Sequence, residues 1–509
     1  MDTRVVSLCA AMALAALPCC AQRFTWTAST KDTGCYGQDT ARTHTSSVSL
    51  ATRPTADPLL RVGAGEEGVV FRHWGGTFNE LDWDALQLLT RPEQDALLES
   101  VWAPESDLRF NRGRISMGAN DYARSWYSCD EVAGDFDLQF FNIDRDKQTL
   151  IPFIRAAQKY CPDLTCWVSP WCPPSWMKIH GDYPVLSSKY NNLNPALDRL
   201  LFGRYGTAVA DPDEMKLTGR RGDQFPRQLA TTDYMIQDPR YLQAYAECFC
   251  RFIDAYAEQG IPINMVIYQN EAYSYTPYPG CAWTAEGTIR FNRDFLAPTL
   301  QAKHPEVKLY LGTLNTNRLD HVERILSDSI LREQLSGVAF QWEGRAILPT
   351  IRGQYPQWSY ICSESECGSG TFDWGAAEHT FELINHYLGN GCNEYTIWNI
   401  VLADGGESPW GWKQNALVRV YSDKRLAVRT PEFDAVRHYS HFIAPGTRVV
   451  GHVGYEQDNT PTLVCLTEAG KWVVVAANFN DEARAVSVAL GEKYLNMELA
   501  PHSFNTFAQ

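Results

Sequence analysis

The chain has 509 residues, 45% of them hydrophobic and 21% charged, an ordinary globular composition with material for a large core. A formal charge of −15 with no basic patch argues against a nucleic-acid partner, because phosphate binding needs clustered lysine and arginine. No apolar run is long enough to span a bilayer, and no Cys/His grouping has zinc spacing, so neither a transmembrane segment nor a metal is expected.

Arg4, the apolar residues 8–17 and the small-residue stretch 18–21 read as a signal peptide with cleavage near Ala21. The mature protein is therefore expected to be exported, as a periplasmic, outer-surface or secreted protein. Cys19 and Cys20 leave lipid anchoring as an alternative, which Ala16-Leu17-Pro18 fits poorly. Export permits disulfides, and twelve of the 15 cysteines lie beyond the leader. Many of them, such as Cys166, Cys248, Cys250, Cys362 and Cys465, sit in apolar stretches where buried free thiols are expected. Cys161 with Cys166, and Cys362 with Cys367, are close enough in sequence to pair.

Residues 24–60 are rich in Thr, Ser and Ala, residues 46–54 read as an edge strand of a small β-domain, and the N-terminal strands are expected over residues 22–66. From residue 67 strand-like runs alternate with helical stretches, the pattern of βα units around a parallel sheet. The strands are predicted at 69–74, 114–118, 165–169, 263–268, 307–312, 337–342, 358–362 and 394–398. Helices are predicted at 149–160, 241–258, 284–302, 319–327, 376–388 and 431–442. Eight βα units predict an α/β fold, a (β/α)8 TIM barrel over residues 67–445. Residues 446–509 alternate in strand fashion and form a closing β-sandwich that the early segment joins. The connection 180–239 is too long for an ordinary loop, and behind a barrel strand it would wall off part of a cleft.

Polar and aromatic residues stand at the predicted strand ends. Strand two ends in Asn120-Asp121, strand three in Ser169-Pro170-Trp171, strand four in Asn270-Glu271. Strand six ends in Gln341-Trp342-Glu343, strand seven in Ser363-Glu364-Ser365-Glu366, strand eight in Trp398-Asn399. Barrels keep their chemistry at this face. Carboxylates transfer protons or attack as nucleophiles, and indoles stack on the apolar faces of sugars. Two carboxylates from strands four and seven suit retaining glycoside hydrolysis, which sets them about 5–5.5 Å apart; inversion requires about 6.5–9.5 Å.

Six ordered motifs sharpen this reading: HWGGTFNE at 73–80, RISMGANDY at 114–122, SPWCPPSWMK at 169–178, QNEA at 269–272, SESECG at 363–368 and WNIVLADGGESPWGWKQN at 398–415. In these motifs the chain resembles glycoside hydrolase family 30, the glucosylceramidase-like retaining enzymes, from about residue 73 to the C-terminus. The resemblance implies a barrel flanked by a β-sandwich built from both chain ends, and no cofactor. It also implies that Glu271 is the acid/base, Glu364 the nucleophile, and Asn270 the partner of the sugar 2-hydroxyl. Asp121, Trp171 and Trp398 match residues that hold the ring at the cleaved position, and Arg114 matches an arginine near the nucleophile. Gln341 is expected to support the pair and Trp342 to contact substrate.

Several family members carry an aromatic hydroxyl after strand six where this chain has Glu343, which either turns away or adds a third carboxylate. Glu366 would share a side with Glu364 if strand seven continued. FQWEGRAILP at 340–349 resembles the branch that attacks β-1,6-glucans, so the expected partner is a β-glucan or other β-glucoside. His73, Trp74 and Trp176 read as ligand contacts or as core.

Overall fold

The computed structural model describes residues 23–34, 37–63, 68–195 and 233–509. The predicted leader, Cys35 and the middle of the long connection, 196–232, lie outside the described residues.

Eight parallel strands close into a barrel: His73–Phe78, Arg112–Ser116, Thr165–Ser169, Ile263–Ile267, Lys308–Leu314, Gly337–Phe340, Ser359–Cys362 and Glu394–Ile397. The eighth strand returns to the first in the register Glu394↔His73 to Ile397↔Gly76. The first strand corrects the expectation. Val69–Val70 leaves the barrel and pairs antiparallel with Arg448–Val453 in a flanking sheet, and the barrel strand starts at His73. The glycines of the HWGG motif explain the crowding at this seam. A Cβ on Gly76 would come within 2.6 Å of the Ile400 side chain.

Side chains of alternate residues point into the barrel. Strand two therefore sends both Arg112 and Arg114 inward. Arg112 pairs with Glu394 at 3.2 Å and donates to Thr165 Oγ1 at 2.8 Å. An apolar layer of Trp167, Met265, Ile267, Tyr310, Ala339 and Ile361 fills the interior.

The outer helices follow their local signals. Leu150–Gln158 and Leu319–Leu326 each bury one apolar face. Asp238, Thr284 and Asp373 cap Pro239–Ala257, Ala285–Phe291 and Trp374–Gly389 by accepting from backbone N–H groups. The predicted helix 284–302 is interrupted by a π-helical turn, Asn292–Leu296, before Ala297–Lys303. Pro298 has no N–H to continue the i→i−4 ladder, which accounts for the turn.

Strands from both chain ends make the flanking sheets. A seven-stranded sheet runs in the order Asp39–Ser49, Arg23–Thr33, Ser503–Ala508, Trp472–Asn478, Thr462–Leu466, Arg448–Val453, Val69–Val70. Lys493–Leu499, Arg484–Leu490 and Pro58–Val62 form a three-stranded sheet against it, around a core that includes Phe24, Val464, Val474, Val488, Leu495 and Phe507. Among the described residues no helix is long and apolar enough to cross a membrane.

Candidate active site

The C-terminal ends of strands two, three, four, six, seven and eight bring the predicted residues together, and Arg114, Asn270, Glu271, Gln341 and Glu364 form one hydrogen-bonded cluster. Arg114 is its hub. The guanidinium is fully buried, donates from Nη1 to Glu364 Oε2 at 2.5 Å, and donates from Nη2 to Asn270 Oδ1 at 2.7 Å. Further bonds to Ser363 O and Ser169 Oγ, both 3.2 Å, hold it between strands three and seven. It also lies over the rings of Trp171, at 4.6 Å, and Trp398, at 5.2 Å.

Gln341 closes the other half. Its Nε2 donates to Glu271 Oε1 at 2.8 Å and to Asn270 Oδ1 at 3.2 Å, while its Oε1 accepts from Ser363 Oγ at 2.9 Å. Asn270 Oδ1 thus faces three donors, since Thr313 Oγ1 also reaches it at 3.3 Å. This crowding determines which end of the amide is oxygen and leaves Nδ2 as the end that can donate outward. The two carboxylates are joined through Arg114, Asn270 and Gln341 in one chain of bonds.

Glu271 stands on strained backbone, with φ +47°, just past strand four. Its N–H donates to Thr313 Oγ1 at 3.0 Å, and its Oε2 accepts from Ser274 Oγ at 2.7 Å. Asn315 orients that serine by donating to Ser274 Oγ at 2.8 Å. Trp342 also has positive φ, +48°, and its half-buried ring packs on the aromatic cluster at this face.

The electrostatics follow from burial. Burial pushes the Glu364 carboxyl upward, and the Arg114 cation is the largest opposing influence, followed by hydrogen bonds from Trp342 and Gln341. Asp121 is pushed well above the usual carboxylate range, first by burial and then by the charges of Glu364 and Glu271. It is the third carboxylate of the site, and its side-chain partner is Gln414, at 3.4 Å. Trp171 and Trp398 stack with centroids 5.1 Å apart beside it. Both are buried, and among the described residues the Trp398 indole N–H has no hydrogen-bond partner.

Glu343 turns away: it is exposed and accepts from Asn317 Nδ2 at 3.1 Å. Strand seven stops at Cys362, so the alternation does not reach Glu366. Glu366 instead pairs with Arg345 at 3.1 Å and His379 at 2.8 Å. Trp74 is core, donating to Ile443 O at 2.7 Å, and His73 begins its strand at the end of the barrel opposite the cluster. Trp176 packs on Phe136 and Tyr241. The eleven cysteines among the described residues are free and buried, including Cys161, Cys166, Cys362 and Cys367. Burial pushes the Cys166 and Cys172 thiols up to about 12, which keeps them unreactive.

Several supporting residues escaped the sequence reading. Thr313 and Asn315 end strand five, and Asn79 follows strand one; the strand-end rule applied to those two strands finds them. Asn79 Nδ2 donates to Trp398 O at 3.3 Å, and Asn120 donates to Asn79 Oδ1 at 2.8 Å, so this pair holds the Trp398 backbone. Ser274 has a weaker signal, three residues beyond Glu271 in a turn outside any strand or helix.

A family model described as the glycosyl hydrolase family 30 TIM-barrel domain matches residues 71–188 and 233–443. The chain is 25% identical to the lysosomal acid glucosylceramidase of Mus musculus over 464 residues, 85% of this chain and 79% of the mouse protein. It is 24% identical to the endo-1,6-beta-D-glucanase BGN16.3 of Trichoderma harzianum over 297 residues, 56% of this chain and 50% of the fungal protein. In fold it resembles the solved endo-beta1,6-glucanase BT3312, with a TM-score of 0.72 at 20% identity, covering 96% of this chain and 99% of that one.

Proposed function

Because the chain belongs to glycosyl hydrolase family 30, we propose that it is a retaining hydrolase of β-glucosidic bonds, with β-1,6-glucan as substrate. The bonded chain Glu364–Arg114–Asn270–Gln341–Glu271 carries this reading. It couples a carboxylate held against a buried cation to a carboxyl held by neutral amide and hydroxyl donors. That asymmetry suits one nucleophile and one proton donor.

Glu364 attacks the anomeric carbon while Glu271 protonates the departing glycosidic oxygen. Glu271 then takes a proton from water, whose oxygen attacks the glycosyl ester and frees Glu364. Asn270 donates to the sugar 2-hydroxyl. Asp121, Trp171 and Trp398 hold the ring, Trp342 borders it, and no cofactor takes part. We also read residues 1–21 as a leader that exports the protein, a reading that N-terminal sequencing of the exported form tests.

Proton NMR of the first anomer released from linear β-1,6-glucan tests the mechanism. The β-anomer is expected; an α-anomer sinks retention. Glu364→Gln and Glu271→Gln should each lose at least about 10³-fold in kcat. Azide should rescue a Glu364 variant with inversion, and rescue at Glu366 in its place would reassign the nucleophile. A second reading, action on short or lipid-linked β-glucosides, has one observation in its favour. The likeness to the mouse glucosylceramidase covers 85% of this chain, against 56% for the fungal glucanase. Parallel assays on β-1,6-, β-1,3- and β-1,4-glucans and an aryl glucoside rank the two.

A further inference from the structure

Glu366 lies two residues after Glu364 and takes no part in its bonded chain. Its carboxylate is nonetheless mostly buried, set between Arg345 Nη1 at 3.1 Å and His379 Nε2 at 2.8 Å. Arg345 belongs to the loop after strand six, three residues past Trp342. The same Nη1 lies 3.8 Å from Glu382 Oε2, and the Arg345 carbonyl accepts from His386 Nε2 at 3.1 Å. His379, Glu382 and His386 are spaced by three and four residues along Trp374–Gly389, so they share one face of that helix. This face grips both loops, the strand-seven loop through Glu366 and the strand-six loop through Arg345. The Arg345–Glu366 pair then ties the two loops directly.

The strand-six loop carries backbone that has to be held. Trp342, at φ +48°, is strained for a residue with a bulky side chain, and such backbone persists only where its surroundings over-determine it. On the strand side Gly344 does this: its N–H donates to Gln341 O at 3.0 Å, and a Cβ there would overlap Leu314 O. On the helix side Arg345 does it. Both residues at the start of the loop reach the glutamate pair, Gln341 through its bond to Glu271 and Trp342 through its bond to Glu364. Holding Arg345 therefore fixes how Trp342 stands against Glu364. Among the described residues Arg345 Nη1 has no aligned hydrogen-bond acceptor, so its contact with Glu366 is one of charge and makes no use of the guanidinium fork.

We propose that Arg345 and Glu366, steadied by His379, are positioning residues: an ionic clamp between the strand-six and strand-seven loops that sets Trp342 against the nucleophile. The proposal rests on the reading of Glu364 as nucleophile and deepens it. None of the three clamp residues touches substrate, and their effect passes through Trp342.

A double-mutant cycle on the full chain tests this, read as kcat/KM on the β-glucoside it hydrolyses best. Arg345→Met and Glu366→Gln should each lower kcat/KM about tenfold in proteins that still melt cooperatively, and Trp342→Phe should lower it by a similar factor. Glu366→Gln is close to isosteric and serves alone where Arg345→Met does not fold. Arg345→Lys keeps the charge and should recover all but about twofold. On the Trp342→Phe background, which lacks the indole N–H, the Arg345→Met and Glu366→Gln losses should shrink to about threefold or less, because the clamp has no indole left to place. A role confined to stability predicts losses that multiply undiminished on that background, and this result overturns the clamp. Wild-type kcat/KM in folded Arg345→Met or Glu366→Gln overturns it too, as does a lysine variant no better than the methionine one. These outcomes leave the chemistry of Glu364 and Glu271 standing. Azide rescue of Glu366→Gln, or turnover of no β-glucoside by the wild type, overturns the underlying reading and the clamp with it.

Discussion

Arg114 is the single side chain on which both halves of the candidate site depend, since it holds Glu364 directly and Asn270 in the same plane. Burial raises the Glu364 carboxyl and the Arg114 cation opposes it. Removing the cation therefore moves Glu364 further up. For Arg114→Gln, the acid limb of the kcat/KM profile should shift to higher pH, and kcat should fall by about 10²–10³-fold. A pH–rate series on an aryl glucoside reads both, and an unmoved acid limb would remove Arg114 from this role. The residue was legible in sequence as a motif member. The resemblance also implied its nearness to the nucleophile; what the sequence did not display is that Arg114 holds Asn270 too, and that Arg112, which also points inward, meets Glu394. Glu366 teaches the same lesson, because its side is decided by where strand seven stops and by Arg345 and His379.

At the scale of elements, the strand-three loop is held by Lys178, whose ammonium donates to the carbonyls of Tyr183, Pro184 and Gly280, as well as by the buried Met177 and Val185. Lys178→Met leaves three main-chain carbonyls without their shared donor, each worth about 1–3 kcal/mol when buried. The variant is expected to lose about 3 kcal/mol or more in urea unfolding; a loss below about 1 kcal/mol would mean the loop does not rely on this ammonium. Seven of the eight barrel strands were legible from the sequence, with ends shifted by at most a few residues. The first strand was misread because residues 69–74 contain two short β segments belonging to different sheets, Val69–Val70 and the start of His73–Phe78. Their shared β-type composition carries no record of which sheet each joins.

At the scale of the whole molecule, buried titratable groups set how stability depends on pH. Asp146 accepts from the hydroxyls of Tyr127 and Tyr256, and burial pushes its carboxyl up to about 7. A carboxyl raised in the folded state lowers stability as pH climbs from its ordinary value near 3.8 to about 7. His438, bonded to Ser29 and Thr506 beneath the flanking sheet, is pushed down to about 3 by burial. A histidine lowered in this way costs stability as pH falls from about 6.5 toward 3. Asp146→Asn should thus melt closer to wild type at pH 4 than at pH 8, with its relative gain on the neutral side. His438→Gln should show its relative gain on the acid side. Melting temperatures across this range test both signs; parallel curves for variant and wild type would refute the coupling.

The barrel, its flanking strands and the catalytic glutamate candidates were determined by local chemistry, namely strand-length apolar runs, helical caps and polar strand ends. These are properties of neighbouring residues, and a sequence displays them directly. The tertiary structure alone decided that Arg114 bonds Asn270 as well as Glu364, that Asp121 supplies the third carboxylate where Glu343 was considered, and that the loops after strands two, three and eight are tied to one another. Each depends on residues tens to hundreds of positions apart meeting across the barrel mouth, as Tyr122 meets Gly406 and Trp410 meets Tyr183. Such meetings are set by barrel closure and loop packing, which no local pattern encodes.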